Sequence, residues 1–349
     1  MTSMRNERYY YSIMSSEERK AYKVIYDGLK MRSFNITVPL NLALHDIQEI
    51  YLRVLYDNPW FYYINQTVIR TQGQVGAWSL LPEYLCTNSE IQQINKDIRS
   101  VIDRVKEKAD TFKNSEFRLE KCLHDSVVKS VAYDYDSLKR NDCFNAHSIV
   151  GCFLDNKAVC EGIAKAFKLL CNEYGLKCIV VLGKANRTGT YGNDDLHAWN
   201  LVKIGNESYH VDVTWDNMYD ENLRHISYDY FNVTTKDISL DHQPFGKLPE
   251  CTATRLNYFY STKSFVSTYS ELTYMINQRF ASKEIMFKAL KDKGEFLRAD
   301  ELKEKTTTAL LQAMVLHASY KPFVLSFNET HNIGKIIFSP KRRKNNNTI

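Results

Sequence analysis

The chain has 349 residues, 44% of them hydrophobic and 25% charged, an ordinary balance for a globular protein with enough apolar material for a sizeable core. Its net charge of +5 is modest and part of it sits in the terminal run PKRRKNNNTI; the 23 tyrosines are spread without a repeated aromatic–basic spacing, so no nucleic-acid-binding face is expected. No run of about 18 apolar residues occurs and MTSMRNERYYYSIMSSEERK has no apolar signal core, so neither a membrane span nor a secretory leader is expected; cytoplasm is the default address, with secretion left open.

Over residues 15–33, Ala21, Val24, Ile25 and Leu29 recur at helical spacing behind a Ser-Ser-Glu-Glu start, which predicts an amphipathic helix. A second helix is expected over 42–56, ended by the DNP at 57–59 because the residue before proline avoids helical backbone angles. WFYYINQTVIR, aromatic and β-branched, then reads as a strand, and helices are expected over 89–108 and 115–132. The legible motifs lie in 143–245. Beyond them LNYFYSTKSFV reads as a strand, 269–280 and 300–318 as helices, and FVLSFNETHNIGKIIFSP as two strands closing around NETHN. There is no internal repeat and no linker longer than a turn.

The stretch AVCEGIAKAFKLLCNEYG carries the first candidate group. Ile163, Phe167, Leu170, Cys171 and Tyr174 form one apolar stripe, and Gly175 follows where a left-handed C-cap is expected. That puts Cys160 in the first turn, where unpaired backbone N–H groups and the helix dipole favour a thiolate and would hold the oxyanion formed after its attack on a carbonyl. The plain alternative is a small buried apolar residue, which is how Cys171 on the stripe and Cys178 in the continuous apolar run LKCIVVL read. The eight cysteines, Cys86, Cys122, Cys143, Cys152, Cys160, Cys171, Cys178 and Cys251, contain no CxxC pair, so no zinc knuckle is expected and the thiols are expected reduced.

DDLHAWNLVKIGNESYHVDVTWD carries the other two. A two-residue turn at Gly205–Asn206 sets Ile204 against Glu207, His197 opposite Thr214 and Trp199 opposite Asp212. His197 and Asp212 are then diagonal neighbours on one face, within about 7–8 Å at the backbone. A one-residue change in register would separate them. On that face Asp212 can accept one ring N–H of His197 and leave the other nitrogen for the Cys160 proton. His210 is the competing base, nearer the turn. Singly, each histidine reads equally as a buried partner and Asp212 as a cap on a backbone amide.

VCEG opening a helix, HAW in a strand and YHVDVTWD in the next, in that order, resemble the transglutaminase-like superfamily, with its papain-like arrangement of Cys, His and Asp. KCLHDSVVKSVAYD, YDYFNVT, YDNPWF and CTATRLNYFY are similar to surrounding segments of long bacterial members. The resemblance implies an α+β fold, a Cys helix packed on an antiparallel sheet carrying His and Asp. The implied division is a mainly helical region 1–112, a catalytic core 113–248, an α+β region 249–340 and a basic disordered tail 341–349. It implies Cys160 as nucleophile, His197 as base and Asp212 as its orienter, acting on a protein or peptide substrate. Ile163 departs from the aromatic residue often found there, with the pocket floor the expected place of effect.

Members of the superfamily include transglutaminases, peptidases and amidases, which share a thioester step that the triad alone does not separate. Others have lost the triad and bind proteins or peptides; in that alternative AWSLLPEYL and the flanking helices would be the working surfaces. The presence of all three residues favours an enzyme. His147 is a polar candidate for the oxyanion site and equally a core histidine, and 183–195 is the loop expected to set specificity. No calcium loop is present and Asp194 and Asp195 read as solvated, so neither metal nor cofactor is expected.

Overall fold

The computed structural model of the chain describes residues 8–38, 42–72, 77–140, 143–186, 195–217, 225–290 and 298–338. The expected tail at 341–349 and most of the loop at 183–195 lie outside them.

The first long helix, Ser16–Lys30, begins with a reciprocal cap: the Ser15 hydroxyl accepts from the Glu18 amide and the Glu18 carboxylate accepts from the Ser15 amide. Its Ala21, Tyr22, Ile25 and Leu29 pack with Ile47, Ile50, Tyr51 and Val54 of the helix Leu44–Asp57 to form an N-terminal core. The stretch 60–68 does not form the expected strand. Pro59 opens a single turn, Pro59–Phe61, and the aromatic residues that suggested a strand divide between two cores: Tyr62 enters the central one, while Phe61 packs on the N-terminal one. Only Ile69–Gln72 is extended, pairing with Trp78–Leu81, which also pairs with Ile36–Val38.

Helices Asn88–Ala109 and Glu116–Ser130 fall where expected and supply Ile98, Ile102, Leu119, Leu123 and Val127 to the central core. In the C-terminal part, helices Tyr269–Gln278 and Ala299–Leu316 pack a third core on a four-stranded sheet in the order 265–266, 284–289, 333–338, 323–328. The hairpin around NETHN forms as read. LNYFYSTKSFV instead makes the turn Tyr258–Ser261, because the Asn257 side chain caps it by accepting from the Phe259 amide at 3.0 Å; only Phe265–Val266 is strand. The strand Glu284–Ala289 had no counterpart in the sequence reading.

The sheet that carries His197 is antiparallel, ordered Glu207–Val211, Leu196–Ile204, Lys177–Ala185, His242–Pro244. Gly205 turns with φ +59°, and Ile204 pairs with Glu207 as the turn required. The ladder ends at Asn200–Val211, however. Asp212 caps a short helix, Val213–Asn217, so Thr214 does not lie opposite His197; Gly183 does, on the other neighbouring strand. A Cβ on Gly183 would fall 2.3 Å from the Gln243 carbonyl oxygen and 2.7 Å from the Trp199 ring, so glycine is what lets the 242–244 strand close on this side.

The helix Cys160–Glu173 packs on strands 177–185 and 196–204. The expected single apolar stripe understates it: every residue from Cys160 to Cys171 is buried. Lys168 is fully buried and donates to the Cys178 carbonyl at 2.8 Å, and Asn200 donates to the Ala164 carbonyl at 2.9 Å, which ties the helix to the sheet.

Candidate active site

Cys160 is the first residue of its helix and, at 9% exposure, sits at the edge of burial. Val159 precedes it and offers no side-chain cap, so the amides of the first turn are not taken by a capping group. The glycine of VCEG has a packing reason: a Cβ on Gly162 would stand 2.4 Å from the Ala146 carbonyl oxygen, so the segment 144–147 can lie against the helix start only if residue 162 has no side chain. Tyr56, Ala164, Val180 and Ala198 pack with Cys160, flanked by Tyr10 and Tyr133. The Tyr133 phenol is hydrogen-bonded to both the side chain and the backbone of Cys160; burial first, then its neighbour Cys160, keep that phenol protonated well above its ordinary range. Ile163 belongs to the central core rather than to this cluster, which answers the expectation that it lines the pocket floor.

His197 lies on the strand facing the helix. Its Nε2 is 2.7 Å from Asp212 Oδ2, and its remaining nitrogen serves the hydrogen bond with Cys160. Burial opposes charging of this ring. The Asp212 carboxylate first, then the neighbouring Cys160 and the hydrogen bonds from both, outweigh it and hold the imidazolium up to about 10. Asp212 is fully buried; burial opposes its ionisation, but His197 and His242 keep it ionised well below the usual carboxylate range. Its Oδ1 accepts from the amides of Thr214 and Trp215 at 2.9 and 3.1 Å. The capping role and the histidine-orienting geometry thus belong to one carboxylate, one oxygen for each. The Trp215 ring lies 5.7 Å from that of His197 and the Trp199 ring 6.1 Å away, walls that screen the pair from water.

The two other histidines raised by the sequence lie elsewhere. His210 is buried, takes a hydrogen bond from Trp199 Nε1 at 3.1 Å and is lowered to about 4, by burial and then by the charge of His242. It is a core residue. His147 Nδ1 is 3.0 Å from Glu161 Oε2, and Glu161 also accepts from Lys165 at 2.6 Å and from Gln66 at 2.7 Å, so this histidine joins a charge cluster at the helix start. A cavity of about 330 Å³ beside that cluster is lined by Tyr62, Ser137, Arg140, His147 and Lys165 among others, but not by Cys160, His197 or Asp212.

Sequence reasoning missed His242. Its Nε2 is 3.0 Å from the same Asp212 Oδ2 that His197 uses, and it arrives on the short strand beside Gly183. The only trace in the sequence is an adjacent acid–histidine pair, Asp241–His242, with no spacing that ties it to HAW. Among the described residues, His197, Asp212 and His242 bring donor atoms within 4.8 Å of one another, as a metal site requires, but the bonds among them already occupy the Asp212 oxygen they share.

Residues 103–215 match the family model of the transglutaminase-like superfamily, and the matched segment holds Cys160, His197 and Asp212. This part of the chain is similar to that superfamily, and the α+β fold agrees with the expectation. No curated protein matches the chain. Among solved structures the chain is similar to one described as a TGase, at 15% identity over 54% of this chain and 52% of that one, with a TM-score of 0.32. It is also similar to a candidate cysteine protease from Cytophaga hutchinsonii, at 14% identity over 42% and 61%, with a TM-score of 0.25. The chain thus spans between half and two thirds of these neighbours. No helix among the described residues is long and apolar enough to cross a membrane.

Proposed function

We propose that the chain is a cysteine enzyme that transfers the acyl group of an amide, in a protein or peptide, through a thioester on Cys160. The observation that carries this reading is the unbroken contact from Cys160 through His197 to Asp212 at an uncapped helix start. The Cys160 sulfur attacks the amide carbon, and the oxyanion is met by first-turn amides at the spot now marked by the Tyr133 hydroxyl, which shares the Cys160 backbone. The imidazolium of His197 gives its proton to the departing amine as the C–N bond breaks, leaving the thioester and a neutral ring. Water or a second amine then attacks the thioester carbon and passes its proton to His197, and the acyl group leaves the sulfur. Asp212 stays ionised throughout and holds the ring with Nε2 bound and the other nitrogen turned to the sulfur.

Hydrolysis and transamidation diverge only at the last attack. Casein incubated with the protein and a fluorescent primary amine separates the two: shortened peptides report hydrolysis, labelled casein reports transamidation. Both are expected to vanish in Cys160→Ala. No product and no acyl adduct on Cys160 by intact mass, over a panel of proteins and peptides, would overturn the proposal in favour of a silent binding module.

A further inference from the structure

The hydrogen-bonded chain does not stop at Asp212. His242 Nε2 lies 3.0 Å from Asp212 Oδ2, and its Nδ1 lies 2.6 Å from Asp241 Oδ1. Asp241 in turn accepts from the Tyr230 hydroxyl at 2.7 Å and meets His331 Nε2 at 2.9 Å. Asp212, Asp241, His242 and His331 are all buried. A neutral imidazole has one N–H and one lone pair, and an ionised carboxylate only accepts. A neutral His242 would therefore press a lone pair against a carboxylate at one of its two nitrogens. Both carboxylates are ionised: burial opposes it at Asp241, but His242 and His331 bring that group to about 2. Each nitrogen of His242 thus faces a carboxylate oxygen, an arrangement that a ring donating from both sides satisfies.

We propose that His242 is a positioning residue of the cysteine site, a fixed cation that shares the Asp212 carboxylate with His197 and thereby limits how firmly Asp212 holds the His197 proton. This rests on the catalytic reading above. A general acid must release its proton to the leaving amine, and one stabilised too far by a buried carboxylate does so poorly. The His242 ring stands 5.4 Å from that of His197, so its charge opposes the His197 imidazolium while its N–H draws on the same oxygen. The titratable groups facing it are Asp212, Asp241, His197, His210 and Tyr230; Trp199 at 5.1 Å and Trp215 at 4.5 Å fill the remaining directions. His242 lies beyond the segment 103–215 that matches the superfamily, and His331 sits in the C-terminal hairpin, so the chain extends the site into the rest of the molecule.

The test is the pH profile of Cys160 alkylation by iodoacetamide, read on the Cys160 peptide by mass spectrometry, in the full chain and in His242→Gln and Asp241→Asn. Glutamine keeps a donor toward Asp212 without the charge; asparagine removes the anion that keeps His242 charged. In both variants the upper inflection, where the His197 imidazolium is lost, is expected to move up by about one pH unit. A purely structural role would lower the melting temperature without moving it. An inflection unmoved or moved down in the variants, with the parent showing its thiolate plateau, overturns this proposal and leaves the catalytic reading standing. A parent without the plateau overturns both. Should His242→Gln fail to fold, Asp241→Asn decides alone.

Discussion

Two buried histidines in this molecule are each held by an aspartate, and they differ in what the second nitrogen meets. His124, on the helix Glu116–Ser130, has Nε2 3.0 Å from Asp216 and Nδ1 3.3 Å from Asp125, with Phe167, Tyr228 and Phe231 around its ring. Burial opposes its charging, but those two carboxylates raise it to about 9. His197 has one carboxylate and one thiol. The pair chemistry is the same in both places. A nitrogen closed by a second acid makes a structural cation, whereas a nitrogen turned to a sulfur at a helix start can move a proton. His242, closed by acids on both sides, falls with His124 in this respect while touching the site of His197.

The largest effects separate the two histidines directly. His197→Ala and Cys160→Ala should each lower acyl transfer by about 10⁴-fold or more with the fold intact, measured as amide turnover beside a thermal melt. Asp212→Asn keeps an oxygen for the Thr214 and Trp215 amides but no longer forces the ring tautomer, so turnover should fall by about 10²- to 10⁴-fold, with a lower melting temperature because His197 and His242 lose the anion they share. His124→Gln should do the reverse: about 3 kcal/mol less stability in urea unfolding, because buried Asp216 loses its cation, with Cys160 alkylation unchanged. The same pair has a pH signature. A histidine raised from its ordinary value to about 9 contributes stability that is complete below about pH 6.5 and lost as pH rises through 9. Parent stability should therefore decline over that window, and His124→Gln should flatten part of the decline, the remainder belonging to other raised groups, His197 and Glu120 among them.

The smallest effect concerns Glu120, one helical turn before His124. Burial pushes this carboxyl up to about 8, with Asn232 donating to it at 2.7 Å. A raised acid favours the fold below its ordinary value and costs stability as pH climbs through 8, so Glu120→Gln should raise the melting temperature at pH 9 by about 2 °C and leave it unchanged at pH 5.

The site was legible in the sequence to the extent that local rules govern it. Helix start, tight turn and strand order placed Cys160, His197 and Asp212 because each follows from spacing over a few residues, and the Gly205–Asn206 turn fixed a register that holds for five residue pairs. The extrapolation failed one step further, where Trp199 and Asp212 do not pair because the Asp212 cap turns the chain into a helix, so Thr214 never reaches His197. WFYYINQTVIR and LNYFYSTKSFV misled for a related reason. The aromatic residues of the first divide between two cores and Tyr258 and Phe259 of the second enter the central one, while Pro59 and Asn257 impose turns that composition does not reveal. Lys165 and Lys168, buried within the Cys160 helix, and His242, brought to Asp212 across thirty residues of sequence, depend on tertiary contacts that no local pattern encodes.

The central claim is that Cys160 and His197 form a thiolate–imidazolium pair. Its most direct test is the pH dependence of iodoacetamide labelling at Cys160 in the parent and in His197→Ala. Rapid labelling of Cys160 below pH 7, ahead of the other seven cysteines and lost in His197→Ala, is the predicted result. Labelling no faster than a free thiol in both proteins would contradict it.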